Sequence, residues 1–228
     1  PLRQALAMAV DRDIITGKIT AAGEIPAYGW VPPVQGYTGQ RPDWADWSQA
    51  ERNAAAQRLY AEAGYSRERP LRVELLYNTS ENHKRVAVAI ASMWKQVLGV
   101  ETSLVNQEWK VFLDTRARKE TQVFRAGWIG DYNDAYSFAQ LMHSKNEQND
   151  SGYVSQQYDA LLDQAAQEAD PQQRAELLQE AERVLLEDLP IMPLYFYVSK
   201  HLVKPWVRGF EPNIMDHHLS RHMYILAH

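Results

Sequence analysis

The fold is decided by residues 71–105, which read LRVELLYNTSENHKRVAVAIASMWKQVLGVETSLV. The apolar patterns of Leu71–Tyr77 and Val100–Val105 predict two strands. Between them, Thr79 or Ser80 supplies the hydroxyl that caps a long apolar helix. A strand, a helix and a second strand in this order form the unit from which parallel sheets are built.

Further elements continue this alternation on both sides of the central unit. A capping box at Ser48 and Glu51 marks the start of one helix, and Gly64 marks its end. Asp170 and Pro171 begin the second member of a helical pair. The predicted helices are 2–15, 49–63, 111–118, 134–142, 155–169 and 171–186, and the additional strands are 122–127 and 191–198. The pattern predicts an α/β protein with a parallel or mixed sheet flanked by helices.

Residues 23–45 form a long segment that proline and glycine punctuate throughout. Such a composition is typical of disorder, but this segment also carries several aromatic residues. We therefore expect it to be an ordered loop that lies against the rest of the protein.

The composition excludes several classes of function. The chain has 228 residues, 45% of them hydrophobic, which suits one large domain or a domain and a half. A net charge of −5 leaves no broad basic surface, so we expect no nucleic acid partner. The lack of cysteine excludes disulfides, thiolate catalysis and cysteine-ligated metals. The chain starts at Pro1 without an initiator methionine or signal peptide, which suggests an excised fragment or a processed product.

Several short strings follow one another along the chain. They are RQAL at 3–6 with DRDII at 11–15, LLYNTS at 75–80, NQEWK at 106–110, RAGWIGDYN at 125–133 and LVKPW at 202–206. In this order they resemble the family 5 extracellular solute-binding proteins of peptide importers, a family that includes the oligopeptide-binding and murein-tripeptide-binding receptors.

The resemblance implies a periplasmic-binding-protein-like lobe of type II solute-binding architecture. Residues 1–196 would form the C-terminal peptide-binding lobe, and residues 197–228 would return to an N-terminal lobe that is absent here. The complete receptor would bind short peptides in the periplasm and deliver them to the membrane permease subunits of an ABC importer, with or without a lipid anchor. We expect neither catalysis nor a cofactor.

Asp131 is the strongest candidate for ligand binding. It directly follows a predicted strand, where loops of open α/β sheets present ligand-binding side chains. Beside Trp128, a partly desolvated carboxylate pairs well with an ammonium group. The residues alone favour a different role, in which Asp131 caps the helix that starts near Asp134. The resemblance reverses that preference, because it implies that Asp131 holds the α-amino group of the peptide.

Two further features suit an extended peptide. The backbone of Gly127 to Ile129 lies at a strand end and could dock the peptide as an added strand, with glycine allowing close approach. The resemblance implies that Arg125, Arg116 and His83 receive peptide carboxylates, directly or through water. A solvated helix position for Arg116 and a helix-capping or helix-packing role for His83 are the alternatives.

Four residues could line pockets for peptide side chains. They are Trp109, Trp128, Tyr132 and Asn78. Hydrated pockets with aromatic walls would tolerate many side chains, because water adjusts to each one. Packing in the core is the alternative role for these residues.

Other functions stay open. A murein tripeptide or another solute could be the ligand, and a signalling or chaperone-like module without a small ligand is a further alternative. A carbohydrate-active enzyme would use Asp131 and Asp134, but carboxylates three residues apart on a helix start lie side by side and not across a substrate. His218 and His222 have the spacing of a helical zinc pair, yet no acidic partner completes the pattern. We therefore expect no metal site.

Overall fold

The computed structural model describes residues 1–227. The described residues contain eight α-helices: α1 (Leu2–Met8), α2 (Arg12–Ile14), α3 (Gln49–Glu62), α4 (Glu81–Leu98), α5 (Trp109–Ala117), α6 (Tyr136–Ala139), α7 (Gln156–Gln167) and α8 (Pro171–Asp188). They also contain seven strands: β1 (Ile25–Pro26), β2 (Arg72–Asn78), β3 (Glu101–Gln107), β4 (Val123–Phe124), β5 (Tyr195–Phe196), β6 (Val207–Arg208) and β7 (Tyr224–Ile225). None of these helices is both long and apolar enough to cross a membrane.

The central sheet is parallel, with β2 between β3 and β4. Its register pairs Asn78 with Gln107, so β2 and β3 end at the same level. The predicted β–α–β unit is confirmed, since Ser80 caps α4 and Gly99 ends it in the left-handed conformation. Trp94 of α4 is completely buried and anchors the helix by donating from Nε1 to the Leu6 carbonyl at 2.9 Å.

The prediction of one helix over residues 2–15 is wrong. Helix α1 ends at Met8, and the Asp11 side chain caps a new helix by accepting a hydrogen bond from the N–H of Ile14 at 3.0 Å. The second helix continues as a π-helix over Ile15–Thr20. The break leaves carbonyl groups near the end of α1 without helical partners. The buried Arg12 guanidinium donates to two of them, those of Ala7 and Val10.

Two predicted strands are much shorter than expected. The strand expected at 122–127 pairs only over Val123–Phe124, and the strand expected at 191–198 pairs only over Tyr195–Phe196. The second of these runs antiparallel to β1, which has only two residues and ends at a proline. Pro26 lacks an N–H donor, and beyond it a single bond follows, from the Ala27 N–H to the Leu194 carbonyl at 3.1 Å.

Residues 1–227 contain two buried apolar clusters, the first formed mainly by α1, α3, α4 and the parallel sheet and the second mainly by α6, α7 and α8. Residues 23–45, hereafter the proline-rich loop, are ordered, as predicted, because the middle of the loop packs on the second cluster and Trp44 packs in the first. The carboxylate of Glu182 on α8 accepts hydrogen bonds from the backbone N–H groups of Trp30, Val31 and Gln40 and from the Tyr37 hydroxyl, at 2.6–3.0 Å. One buried side chain on a helix therefore holds residues 30–40 of the loop in place.

Residues 199–227, hereafter the terminal segment, differ from the rest of the chain. Their only strands are β6 and β7, which pair with each other. None of these residues belongs to either buried cluster, and several apolar side chains are exposed, among them Leu202, Ile214 and Ile225. The segment therefore has no hydrophobic core of its own within the described residues.

Candidate functional site

The parallel sheet brings three chain segments to one edge. Asn78 ends β2, Gln107 ends β3, and residues 125–131 follow β4. We call this region the carboxyl edge. In open α/β sheets it is the usual place for a ligand.

Several buried polar atoms at the carboxyl edge lack hydrogen-bond partners within residues 1–227. They are Asn78 Oδ1, Gln107 Oε1, His83 Nδ1 and Trp128 Nε1. A buried donor or acceptor without a partner destabilises the protein by about 1–3 kcal/mol, and such atoms are rare in folded proteins. Their concentration at one edge leaves several hydrogen-bonding atoms there available to a polar molecule.

The backbone that follows β4 also has N–H and C=O groups without hydrogen-bond partners among residues 1–227. Within the described residues, neither Gly127 nor Ile129 makes a backbone hydrogen bond, and Ile129 is 82% exposed. These groups can accept and donate to an extended chain, and the strand-like dock stays a prediction. The reason for glycine differs from the predicted one, because a Cβ at Gly127 would lie 2.9 Å from Cε2 of Tyr197. The space beside Gly127 is therefore already occupied by a side chain of this protein.

Asp131 lies in the loop between β4 and α6. Its backbone N–H donates to the Ser137 hydroxyl at 2.9 Å, which fixes the position of the residue. Its side chain is exposed, and its carboxylate makes no hydrogen bond or ion pair with any residue in the range 1–227. The carboxylate is therefore free to bind a cation.

The capping alternative for Asp131 is wrong, because the carboxylate that bonds the first N–H of α6 belongs to Asp134. Asp134 Oδ1 accepts from the N–H of Tyr136 at 2.7 Å, and both Asp134 oxygens accept from Arg174 at 2.8 and 2.9 Å. Partial burial alone would raise the pKa of Asp134, but the hydrogen bonds from Arg174 and Tyr136 hold this pKa below its usual value. A carboxylate bound in this way is a poor general acid.

Arg125, Arg116 and His83 were predicted to bind peptide carboxylates. The charge of Arg116 acts on Arg125 and that of Arg125 acts on His83, but the three residues differ in their partners. Arg125 is partly buried over the Tyr197 ring at 5.7 Å, and it forms no ion pair within the described part of the chain. Burial lowers the pKa of Arg125, an effect that Tyr195 opposes and Arg116 reinforces, yet a guanidinium stays protonated at neutral pH. Arg125 is thus a charged group with no acidic partner.

Arg116 and His83 are less suited to bind an anion. Arg116 is not the solvated helix residue considered above, because its guanidinium donates to Asp150 at 2.9 and 2.5 Å. Burial, and after it the nearby charge of Arg125, lower the pKa of His83. We therefore expect His83 at neutral pH to act as a neutral hydrogen-bonding group.

The predicted pocket-lining aromatics are partly placed as expected. Trp109 is 51% exposed and stacks on Phe112 with ring centroids 5.8 Å apart, and Tyr132 is 45% exposed. Trp128 packs instead against the second buried cluster, although its Nε1 has no partner among residues 1–227. Exposed rings near a strand edge can line pockets for peptide side chains.

Two residues of the carboxyl edge were not predicted. Gln107 could have been found, since it ends β3 in the same way that Asn78 ends β2. Tyr197 could not, because it comes from a chain segment that no local pattern connects to the sheet.

Known proteins are similar to this chain in sequence and in fold. Residues 1–150 match the family of bacterial extracellular solute-binding proteins, family 5 Middle. The chain is 45% identical over 229 residues to the periplasmic oligopeptide-binding protein of Escherichia coli and 42% identical to the periplasmic murein peptide-binding protein of the same organism. The chain spans 42% and 43% of the lengths of these two relatives, and each alignment covers the whole of this chain.

A solved structure shows the same fold. The oligopeptide-binding protein of Haemophilus influenzae, in complex with the peptide RPPGFSPFR, matches 99% of this chain and 45% of its own, with a TM-score of 0.89 and 37% identity. The likeness confirms the predicted α/β lobe of type II solute-binding architecture.

Proposed function

The chain belongs to the bacterial extracellular solute-binding proteins of family 5, and we propose that its carboxyl edge forms one wall of a binding site for short peptides. The observation that carries this proposal is the concentration of uncommitted polar groups along that edge. An extended peptide offers an ammonium group, alternating N–H and C=O groups and a carboxylate. Asp131 would bind the ammonium, the backbone of residues 127–129 would bind the peptide backbone, and Arg125 would bind a carboxylate.

The proposal extends to the complete receptor. The relatives are named periplasmic, and this chain spans less than half of their length. Residues 1–196 would form one lobe in the periplasm, and residues 197–228 would return to a second lobe. Closure of the two lobes around a peptide would bury it and create the surface that the permease subunits of an ABC importer recognise.

We propose peptide binding, and not hydrolysis of a carbohydrate, as the function of the carboxyl edge. The hydrolase alternative needs two available carboxylates, and Asp134 is held by Arg174. The oligopeptide-binding and murein peptide-binding relatives are almost equally similar to this chain, so both kinds of peptide are candidate ligands.

Replacing Asp131 with asparagine in the complete receptor should weaken binding of a tripeptide by about 2 kcal/mol, or roughly 30-fold in Kd. The change keeps the shape of the side chain and removes its charge. Calorimetry should compare free and N-acetylated tripeptides against the wild type and the variant. Acetylation should weaken the wild type by a similar factor and have little further effect on the variant, because both changes remove the same ion pair. Full additivity of the two changes would show that Asp131 does not contact the peptide amine.

The chain of 228 residues should bind peptides weakly on its own. Only one wall of the site would contribute contacts, and the site would remain hydrated. Calorimetry with tri- and tetrapeptides is expected to show no binding at micromolar concentrations. Tight binding by this chain alone would mean that the second lobe contributes little, against the proposed division of the site.

A further inference from the structure

Three side chains of the terminal segment meet at one point: His201, Asp216 and His218. The Nε2 atoms of His201 and His218 lie 2.7 and 2.8 Å from the same oxygen, Oδ1 of Asp216. The potential ligand atoms of the three residues all lie within 4.8 Å of one another. We call them the His–Asp–His cluster, and they form the one such group found among residues 1–227.

This cluster differs from the helical His218–His222 pair considered in the sequence. A 3-10 turn begins only at Ser220, so the two histidines do not share a helix. The second histidine of the cluster is His201 and not His222, and it lies 15 residues before Asp216 in the sequence. No local spacing rule could have found this partner.

The chain holds the three side chains in fixed orientations. Asp216 has a φ of 55°, a conformation that aspartate tolerates better than most residues. Asn213 holds this turn, because its carbonyl accepts from the N–H of Asp216 at 3.0 Å and its side chain bonds the backbone of His217. The His218 ring stacks on Phe210 with centroids 3.8 Å apart, and the His201 ring meets the same phenylalanine at 4.9 Å.

The cluster has the chemistry of a zinc site. Two imidazoles and one carboxylate are ligands that Zn²⁺ accepts, with the fourth position left to water. The side chains of His201 and Asp216 are 38% and 39% exposed, so an ion can reach them from solvent.

We propose that His201, Asp216 and His218 bind one Zn²⁺ ion, which ties residue 201 to residues 216–218 and orders the terminal segment. This segment contributes to neither buried cluster. A metal bound by distant residues stabilises small units of this kind, because its binding free energy adds to their folding free energy.

Zinc binding can be measured with the chain of 228 residues in competition with a fluorescent zinc indicator. We expect one equivalent per chain, with affinity reduced at least about tenfold in His201→Ala, His218→Ala and Asp216→Asn. The matched control is His217→Ala, a neighbour outside the cluster, which should bind as the wild type does. A lack of saturable binding, or an equal loss in the His217 variant, would overturn the proposal.

Limited trypsin digestion tests the ordering role separately. Zn²⁺ should slow cleavage after Arg208 and Arg221 in the wild type and leave the rate unchanged in His201→Ala. Zinc binding without any change in the cleavage rate would overturn the claim that the ion orders the segment. Circular dichroism without metal should be the same for all variants, because the cluster lies outside the core.

Discussion

Replacing Glu182 with alanine is expected to lower the free energy of unfolding by about 3–5 kcal/mol, the size of effect seen when one partner of a buried polar network is removed. The Glu182 side chain lies in the interior at 2% exposure. Its carboxylate is the acceptor for three backbone N–H groups and the Tyr37 hydroxyl. The alanine variant would leave these donors buried without their acceptor, and the loop over residues 29–40 would lose its attachment to α8.

A matched control lies on the same helix. Glu180 is 44% exposed and forms an ion pair with Arg183, so Glu180→Ala should change stability by less than about 1 kcal/mol. Urea unfolding followed by circular dichroism should show the difference as a shift in the midpoint. Equal midpoints for the two variants would show that the loop is held by apolar packing and not by the Glu182 hydrogen bonds.

Replacing Arg12 with methionine is expected to destabilise the protein by about 3 kcal/mol or more, although methionine is apolar and of similar length. Arg12 is fully buried and donates to the carbonyls of Ala27, Pro193, Ala7 and Val10 at 2.8–3.1 Å. Burial lowers the pKa of Arg12 to about 10, and the nearby ring of Tyr28 opposes this shift. The side chain joins the end of α1 to the proline-rich loop and to the segment before β5.

The control for this prediction is Arg3→Met, which changes an exposed arginine on α1 and should alter stability by less than about 0.5 kcal/mol. Thermal unfolding by calorimetry would compare both variants with the wild type. A similar melting temperature for Arg12→Met would mean that packing between the Tyr28 and Trp44 rings outweighs the four lost hydrogen bonds.

Local signals predicted the regular elements well and their limits poorly. The caps at Ser48, Ser80 and Asp170 act within one helical turn, so the sequence shows where α3, α4 and α8 begin. The length of β4 and β5 depends on what lies beside each strand, and no local pattern contains that information. The break after Met8 was missed for the same reason, because Arg12 stabilises it through carbonyls from distant segments.

The carboxyl edge divides in a similar way. That β2, β3 and the loop carrying Asp131 meet there was predictable, because parallel strands place their carboxyl ends together. That a peptide binds there stays a prediction. The sequence did not show which charged groups along this edge have an ionic partner. Arg116 is paired with Asp150, Asp134 is held by Arg174, and Asp131 and Arg125 have no ionic partner among the described residues. Each of these outcomes depends on a partner that lies far away in the sequence or on the lack of one.

The sequence by itself determined the α/β layers, the caps of the long helices and the edge at which the parallel strands end together, because these depend on periodicity and on neighbours within one turn. Only the tertiary structure decided that Glu182 holds the proline-rich loop, that Arg12 spans a broken helix, and that His201 meets Asp216 and His218. Glu182, Arg12 and His201 each bond at least one residue that lies 15 to 181 positions away in the sequence. Such contacts form only when the packed core brings distant segments together.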